Sequence, residues 1–302
     1  MELIISKNII EGEIPFRAFS HKIKQLYIYD KSKWKKGSIS DLKQIFGKIQ
    51  LEILKVNRDY EKTLDDDKIY GINKSKIDII PRGVDVNNFK KSDINSHEIA
   101  KIKENWRIFD KEKVIILLPA RLTKWKGHEV AIEAINLLKG ESFFKNIVCL
   151  FAGEQKNSQK YIHNLNRLIS SYSLEKKIRL IGKVENMPLA YHASDVILSP
   201  SIEPEPFGRI PIEAQASGKI IISCDAGAVK DTIKSGKNFT GFKAIPNNSE
   251  SLADKIKIAL KMENEEIQGM QKRAIMNVKN NFSLESMCKK TLEVYNRLLI
   301  SK

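Results

Sequence analysis

From residue 114 onward the chain alternates short, continuously apolar, β-branched runs with stretches of helical spacing, and this alternation restricts the fold more than any other feature. VIILLPA (114–120), IVCLFAG (147–153), KIRLIG (177–182), VILSPS (196–201) and KIIISCD (219–225) are short and have no regularly polar face. Such runs suit parallel strands buried on both faces, because a half-solvated antiparallel strand alternates apolar with polar residues. Between them, HEVAIEAINLLKG sets Ala131, Ala134, Ile135 and Leu138 on one helical face and stops at Gly140. Helical spacing recurs over 157–175, 186–195, 208–217 and 228–236. Five strands with helices between them predict a doubly wound, Rossmann-like α/β domain, with ligands in the loops that leave the carboxyl ends of the strands.

The flanking segments are less regular. Residues 249–302 read as two or three helices, with Ser283 as the N-cap of the last. In the first 78 residues, LYIYD (26–30) has strand character, and 38–64 carries Leu42, Ile45, Phe46, Ile49 and Ile53 at helical spacing. IDIIPRGVDVNNF (77–89) places Pro81 and Gly83 between apolar residues, as a turn or hinge before the α/β domain. At 302 residues and 42% hydrophobic content the chain can fill one large or two ordinary domains.

Several function classes are disfavoured. No run of eighteen apolar residues occurs, and the N-terminus has neither a basic leader nor a long apolar segment, so a cytoplasmic location is expected. Cys149, Cys224 and Cys288 are far apart without C-x-x-C spacing, which predicts buried thiols rather than disulfides or a zinc site. The net charge of +15 favours nucleotides, phosphorylated lipids or an anionic membrane as partners, although the lysines are scattered. No aromatic-interleaved basic motif is present, so nucleic acid is not expected as a partner.

Two loops carry the chemistry. PARLTKWKGHE (119–129) brings Arg121 and Lys126 to a strand-to-helix turn, with Gly127 allowing close backbone approach. A fork and a point charge at the carboxyl end of a parallel strand are suited to gripping a diphosphate; solvated surface cations are the alternative from this loop alone. The second loop and helix, EPEPFGRIPIEAQASG (203–218), holds Glu205 before the helix and Glu213 in its second turn. Backbone amides of Gly208, Arg209 and Ile210 are the free donors of that helix start, where an anion is favoured. Glu205 could cap the helix and Glu213 could lie on a solvated face. The neighbours Ile212, Ala214 and Ala216 point instead to a buried helix whose acid meets a hydroxyl-rich ligand.

ARLTKWKG, SPSIEPEPFGRIPIEAQASG and IIPRGVDVNNF together resemble the retaining, metal-independent glycosyltransferases of GT-B fold, in the group that includes bacterial lipopolysaccharide-core and mannosyl transferases. Residues 224–256 follow the next stretch of that family, with a small-residue turn at Gly227 and an acid at Asp231. The resemblance runs from about 70 to 300. It implies a GT-B protein with a Rossmann-like donor domain over 81–283, a shortened acceptor-side domain over 1–80, and a C-terminal helix, 284–302, packing back toward the N-terminal part. It further implies that Arg121 and Lys126 bind the diphosphate of a nucleotide-sugar and that Glu205 contacts the donor sugar. Glu213 would hold the ribose, Phe207, Gly208 and Arg209 would offer backbone contacts, and Lys183 and Val184 would lie near the base. No cofactor or metal is implied beyond a GDP- or UDP-linked sugar, with GDP-mannose as the family's suggestion.

A lipid- or glycan-linked acceptor at the inner face of the cytoplasmic membrane would complete a role in lipopolysaccharide or polysaccharide synthesis. The short segment before the hinge lacks a glycine-rich acceptor loop. Its one histidine, His21, sits in RAFSHKIKQ, which reads as surface. An inactive, N-terminally truncated relic, or a chain that binds nucleotide-sugar without transferring it, is therefore the alternative reading. Asp65, Asp66 and Asp67 offer a D-x-D pattern, but within the charged run RDYEKTLDDDK, which reads as a solvated turn. Glu203 has no assigned role.

Overall fold

The computed structural model describes residues 2–6, 25–29, 50–52, 78–90, 94–154, 159–205 and 207–300. The chain forms two compact units, Pro81–Cys288, and Met1–Ile80 together with Lys289–Lys302.

In the first of these units, six strands form one wholly parallel sheet: β4 (Val114–Pro119), β5 (Ile147–Ala152), β6 (Ile178–Gly182), β7 (Val196–Ser199), β8 (Ile220–Cys224) and β9 (Phe242–Ala244). Their order is β6-β5-β4-β7-β8-β9. The chain starts mid-sheet at β4, winds outward through β5 and β6, then returns to β7 on the other side of β4 and winds outward again. The reversal lies between β4 and β7, and in such sheets the crevice for ligands opens there, beyond the carboxyl ends of the strands.

The double burial expected of the strands is observed in β4, β5, β7 and β8, whereas β6, at the sheet edge, is buried only at Ile178. Ile115, Ile116, Leu117 and Leu118 are fully buried, and alternation sends Ile116 and Leu118 to one face and Ile115 and Leu117 to the other. On the first face they meet Ala131, Ala134 and Ile135 of helix α2 (His128–Leu137); on the second they join Ile197 and Ile212. Each such side chain contributes about 1.5–3 kcal/mol on burial, so neither face tolerates a polar alternate. All five strands expected from 114 to 225 are present, and β9 is an addition at the sheet edge.

Among the described residues the remaining α-helices are α1 (Ser96–Asn105), α3 (Gln159–Ser171), α4 (Met187–His192), α5 (Arg209–Ala216), α6 (Val229–Thr232), α7 (Ser249–Lys261), α8 (Asn264–Asn281) and α9 (Leu284–Ile300). Ser283 caps α9 as expected, its Oγ accepting from the Ser286 amide at 3.1 Å. Val84 bridges to the same turn, donating to the Phe282 carbonyl at 2.9 Å and accepting from Leu284 at 3.0 Å. Of the three cysteines, Cys149 and Cys224 are buried, and burial raises both thiols, Cys224 to about 12. Cys288 is exposed, contrary to expectation, because α9 turns that side chain away from the core.

In the other unit, β1 (Glu2–Ser6), β2 (Gln25–Tyr29) and β3 (Gln50–Glu52) form a parallel sheet in that order. The strand expected at LYIYD is β2. The helical spacing noted over 38–64 is interrupted by β3, where parallel pairing of Gln50 with Gln25 overrides a local period. The rest of 38–64, together with His21 and Asp65–Asp67, lies outside the described residues.

Candidate active site

The loops after β4 and β7 flank the reversal point and are fastened together. After β4, residues Lys124–Lys126 form one 3-10 turn that ends at Gly127 in the left-handed region, φ 73°. A Cβ on Gly127 would lie 1.9 Å from the Pro200 carbonyl oxygen, so only glycine lets the two loops pass this closely. The Ile202 amide donates to the Trp125 carbonyl at 2.9 Å and closes the contact.

This approach buries Lys126 and Glu205 against each other. The Lys126 ammonium donates to Glu205 Oε1, and both residues are 8% exposed. The Ser201 hydroxyl donates to the same oxygen at 2.5 Å. Burial pushes the Lys126 ammonium below its ordinary range; the Glu205 carboxylate opposes that shift and the Arg121 charge adds to it. Lys126 Nζ and the Arg121 guanidinium lie 3.9 and 5.9 Å from the centroid of the Trp125 ring, whose electron-rich face favours both cations. The backbone of Glu205 is pinned from the far side, its carbonyl accepting from the Ala228 amide at 2.9 Å. Gly227 makes that possible, since a Cβ there would sit 2.5 Å from the Glu205 oxygen.

Glu213 is buried one turn into α5. Its Oε1 meets Arg209 Nη2 at 2.8 Å, and its Oε2 accepts the Tyr191 hydroxyl at 2.9 Å. Residues Pro211–Ala216 are all buried, as the apolar neighbours of Glu213 suggested. Gly208 is the N-cap of α5, in the left-handed region and with no side-chain cap, while Pro211 has no amide hydrogen. The helix thus presents the amides of Arg209 and Ile210 at its start, a position suited to an anion. Phe207 is half-buried against the apolar cluster beneath α5.

The structure therefore brings Arg121, Lys126 and Glu205 to one point, and Phe207, Gly208, Arg209 and Glu213 to the adjoining helix start. Lys183 and Val184 follow β6, two strands out from β4; Lys183 is exposed and pairs with Glu185 at 2.8 Å, and Val184 is half-buried. Sequence reasoning missed Ser201 and Tyr191. Ser201 lay inside a quoted motif, whereas Tyr191 stands 22 residues from its partner in an ordinary apolar helix.

His128, the first residue of α2, was also overlooked. It is fully buried, edge-on to Phe151 at 5.1 Å and to Tyr161 at 6.0 Å, and neither ring nitrogen has a hydrogen-bond partner among the described residues. Burial pulls its pKa down to about 4; the Lys126 charge acts in the same sense, and the facing Thr123 backbone opposes without reaching hydrogen-bond geometry. The unfolded chain takes up this proton near pH 6.5 and the folded chain only near 4. Stability is therefore full above 6.5, falls by about 3 kcal/mol as pH drops to 4, and loses nothing more to this group below that. Urea midpoints measured across this window should fall more steeply in the wild type than in His128→Phe; parallel curves would show that the imidazole is not held neutral.

The model of the glycosyl transferases group 1 family matches residues 98–280, more than half of the chain. Mannosylfructose-phosphate synthase of Agrobacterium fabrum is 27% identical over 173 residues, covering 56% of this chain and 37% of that protein. The chain spans between 37% and 59% of the length of the curated relatives compared. Among solved structures, a glycosyltransferase from Rickettsia africae superposes with a TM-score of 0.78 at 28% identity, over 96% of this chain and 84% of that one. The Anabaena protein Alr3699/HepE in complex with UDP and glucose has a TM-score of 0.72 at 18% identity, over 93% and 80% of the two chains, and shares the fold. The architecture is that of the GT-B glycosyltransferases. With its six-stranded parallel sheet, the paired loops at the reversal point and the family match across both, this chain belongs to the glycosyl transferases group 1 family.

Proposed function

We propose that the chain transfers a hexose from a nucleoside-diphosphate sugar to a glycan- or lipid-linked acceptor, with retention and without a metal ion. The observation that carries this reading is the buried Lys126–Glu205 pair beside the uncapped start of α5. Arg121, Lys126 and the α5 amides would bear the negative charge that develops on the departing diphosphate; fixed cations and dipoles in a site of low dielectric suit that role. Lys126 and Ser201 both meet Glu205 Oε1, which would leave Oε2 to a hydroxyl of the donor sugar. Glu213 would take the ribose, and Lys183 and Val184 would lie toward the base.

The UDP and glucose held by the Anabaena structure and the name of the Agrobacterium relative support a nucleotide-hexose donor, UDP- or GDP-linked, with mannose among the candidates. The net charge of +15 supports an acceptor presented at an anionic surface, as in the synthesis of a cell-surface polysaccharide.

Thermal unfolding with UDP, GDP or no ligand, in EDTA, tests the donor site. A nucleotide at about 100 times its dissociation constant adds roughly 2.7 kcal/mol, which is on the order of 5–10 °C for a unit of this size. The shift should appear with one of the two nucleotides and vanish in Glu213→Ala. Absence of any shift, with or without added magnesium, would refute the donor assignment. A shift without hexose transfer to any offered glycan acceptor would favour a binding protein instead.

A further inference from the structure

Tyr191 is fully buried in α4, with its ring tilted against Phe89 at a centroid distance of 6.1 Å and its hydroxyl donating to Glu213 Oε2 at 2.9 Å. Arg209 approaches the other carboxylate oxygen at 2.8 Å. A carboxylate has about four lone-pair sites, so these two partners leave one on each oxygen. Two lone pairs on one rigid carboxylate match the two O–H donors of a vicinal cis-diol. Arg209 is the weaker support, since its side chain is 69% exposed and its ion pair is screened by solvent. The Tyr191 ring cannot move without disturbing the core. Burial and the adjoining carboxylate also raise its hydroxyl well above the usual tyrosine range, so it stays a donor throughout the working pH range.

We propose that Tyr191 is a positioning residue that locks the plane of the Glu213 carboxylate, so that both its oxygens read the 2′,3′-diol of the nucleotide and select ribo- over 2′-deoxyribonucleotides. This rests on the assignment of Glu213 to the ribose. Tyr191 touches no ligand in this scheme; it acts through the acid alone. A freely rotating carboxylate would still accept one hydroxyl and would lose most of the preference for two.

The test is calorimetric titration of the full chain with UDP, GDP and their 2′-deoxy forms, using wild type, Tyr191→Phe and Glu213→Gln. Tyr191→Phe keeps the ring and its packing on Phe89, and an unchanged melting cooperativity confirms that it folds. Wild type should bind the ribonucleotide at least about tenfold tighter than its deoxy form, since a buried acceptor left unpaired is costly. In Tyr191→Phe that ratio should fall to within about twofold of one, through weaker ribonucleotide binding and nearly unchanged deoxynucleotide binding. A ratio preserved in Tyr191→Phe but lost in Glu213→Gln would overturn the role of Tyr191 and leave Glu213 on the ribose. A wild type that makes no distinction, or a Glu213→Gln variant that still makes it, would overturn the ribose assignment and the proposal with it.

Discussion

Replacing Lys126 with alanine should lower turnover by on the order of 10²-fold or more, the usual consequence of deleting a charge donor aimed at a transition state. The structure adds a second effect. Lys126 is buried against Glu205, so its loss strands a carboxylate whose one other side-chain partner among the described residues is the Ser201 hydroxyl. Breaking a buried pair from one side costs about 3–5 kcal/mol, because the remaining charge keeps its desolvation penalty and loses its compensation. A lower rate in Lys126→Ala could therefore reflect either chemistry or a weakened fold.

The double variant Lys126→Met with Glu205→Gln separates the two effects. It removes both charges at similar volume, so denaturation midpoints should recover most of the loss. Turnover should stay at the level of Lys126→Ala or below, because the cation proposed for the diphosphate is still missing and the acid proposed for the sugar has now gone as well. Recovery of both stability and rate would mean that the pair is structural and that the diphosphate is held elsewhere. An unchanged rate in the single variant would remove Lys126 from the chemistry altogether.

How far such a site can be read from sequence depends on the range of the interactions. β4, β5, β7 and β8 were legible because burial on both faces leaves a continuous apolar run, which is a local signature, and the half-buried β6 because IRLIG is still mostly apolar over five residues. β9 was not, because FKA is three residues long, half-buried at the sheet edge, and held chiefly by its pairing with β8. Residues 50–52 show the converse, since a period that suits a helix yields to pairing with a strand 25 residues earlier.

The same division runs through the site. Arg121, Lys126, Glu205 and Glu213 were each visible, because a cation or an acid in an apolar setting signals itself. Their mutual arrangement was less so: nothing local in the sequence pairs Lys126 with Glu205, 79 residues away. Tyr191 was invisible because an aromatic residue in a helix reads as core, and it is core; its hydroxyl becomes informative only when α4 and α5 are placed side by side.

Gly127 is where fold and site meet, and Gly127→Ala should be among the most damaging small substitutions in the chain. Two costs combine. Alanine in the left-handed region at φ 73° is strained by about 1–3 kcal/mol. Its Cβ would also fall 1.9 Å from the Pro200 carbonyl oxygen, and because that atom is backbone the clash is relieved only by moving one loop, at a further 1–3 kcal/mol or so. A total of roughly 2–6 kcal/mol corresponds to a melting temperature lower by on the order of 10 °C. The displacement would act on the two segments joined by Ile202 and Trp125, and so draw Lys126 away from Glu205. Turnover should then fall at temperatures well below the transition, where the chain is still folded. Gly140→Ala is the matched control, because a Cβ there meets nothing within 4 Å and no left-handed backbone is required. It should change stability by no more than about 0.5 kcal/mol. Equal melting temperatures for the two variants would mean that the loops after β4 and β7 are not in contact, and the pairing of Lys126 with Glu205 would have to be abandoned with them.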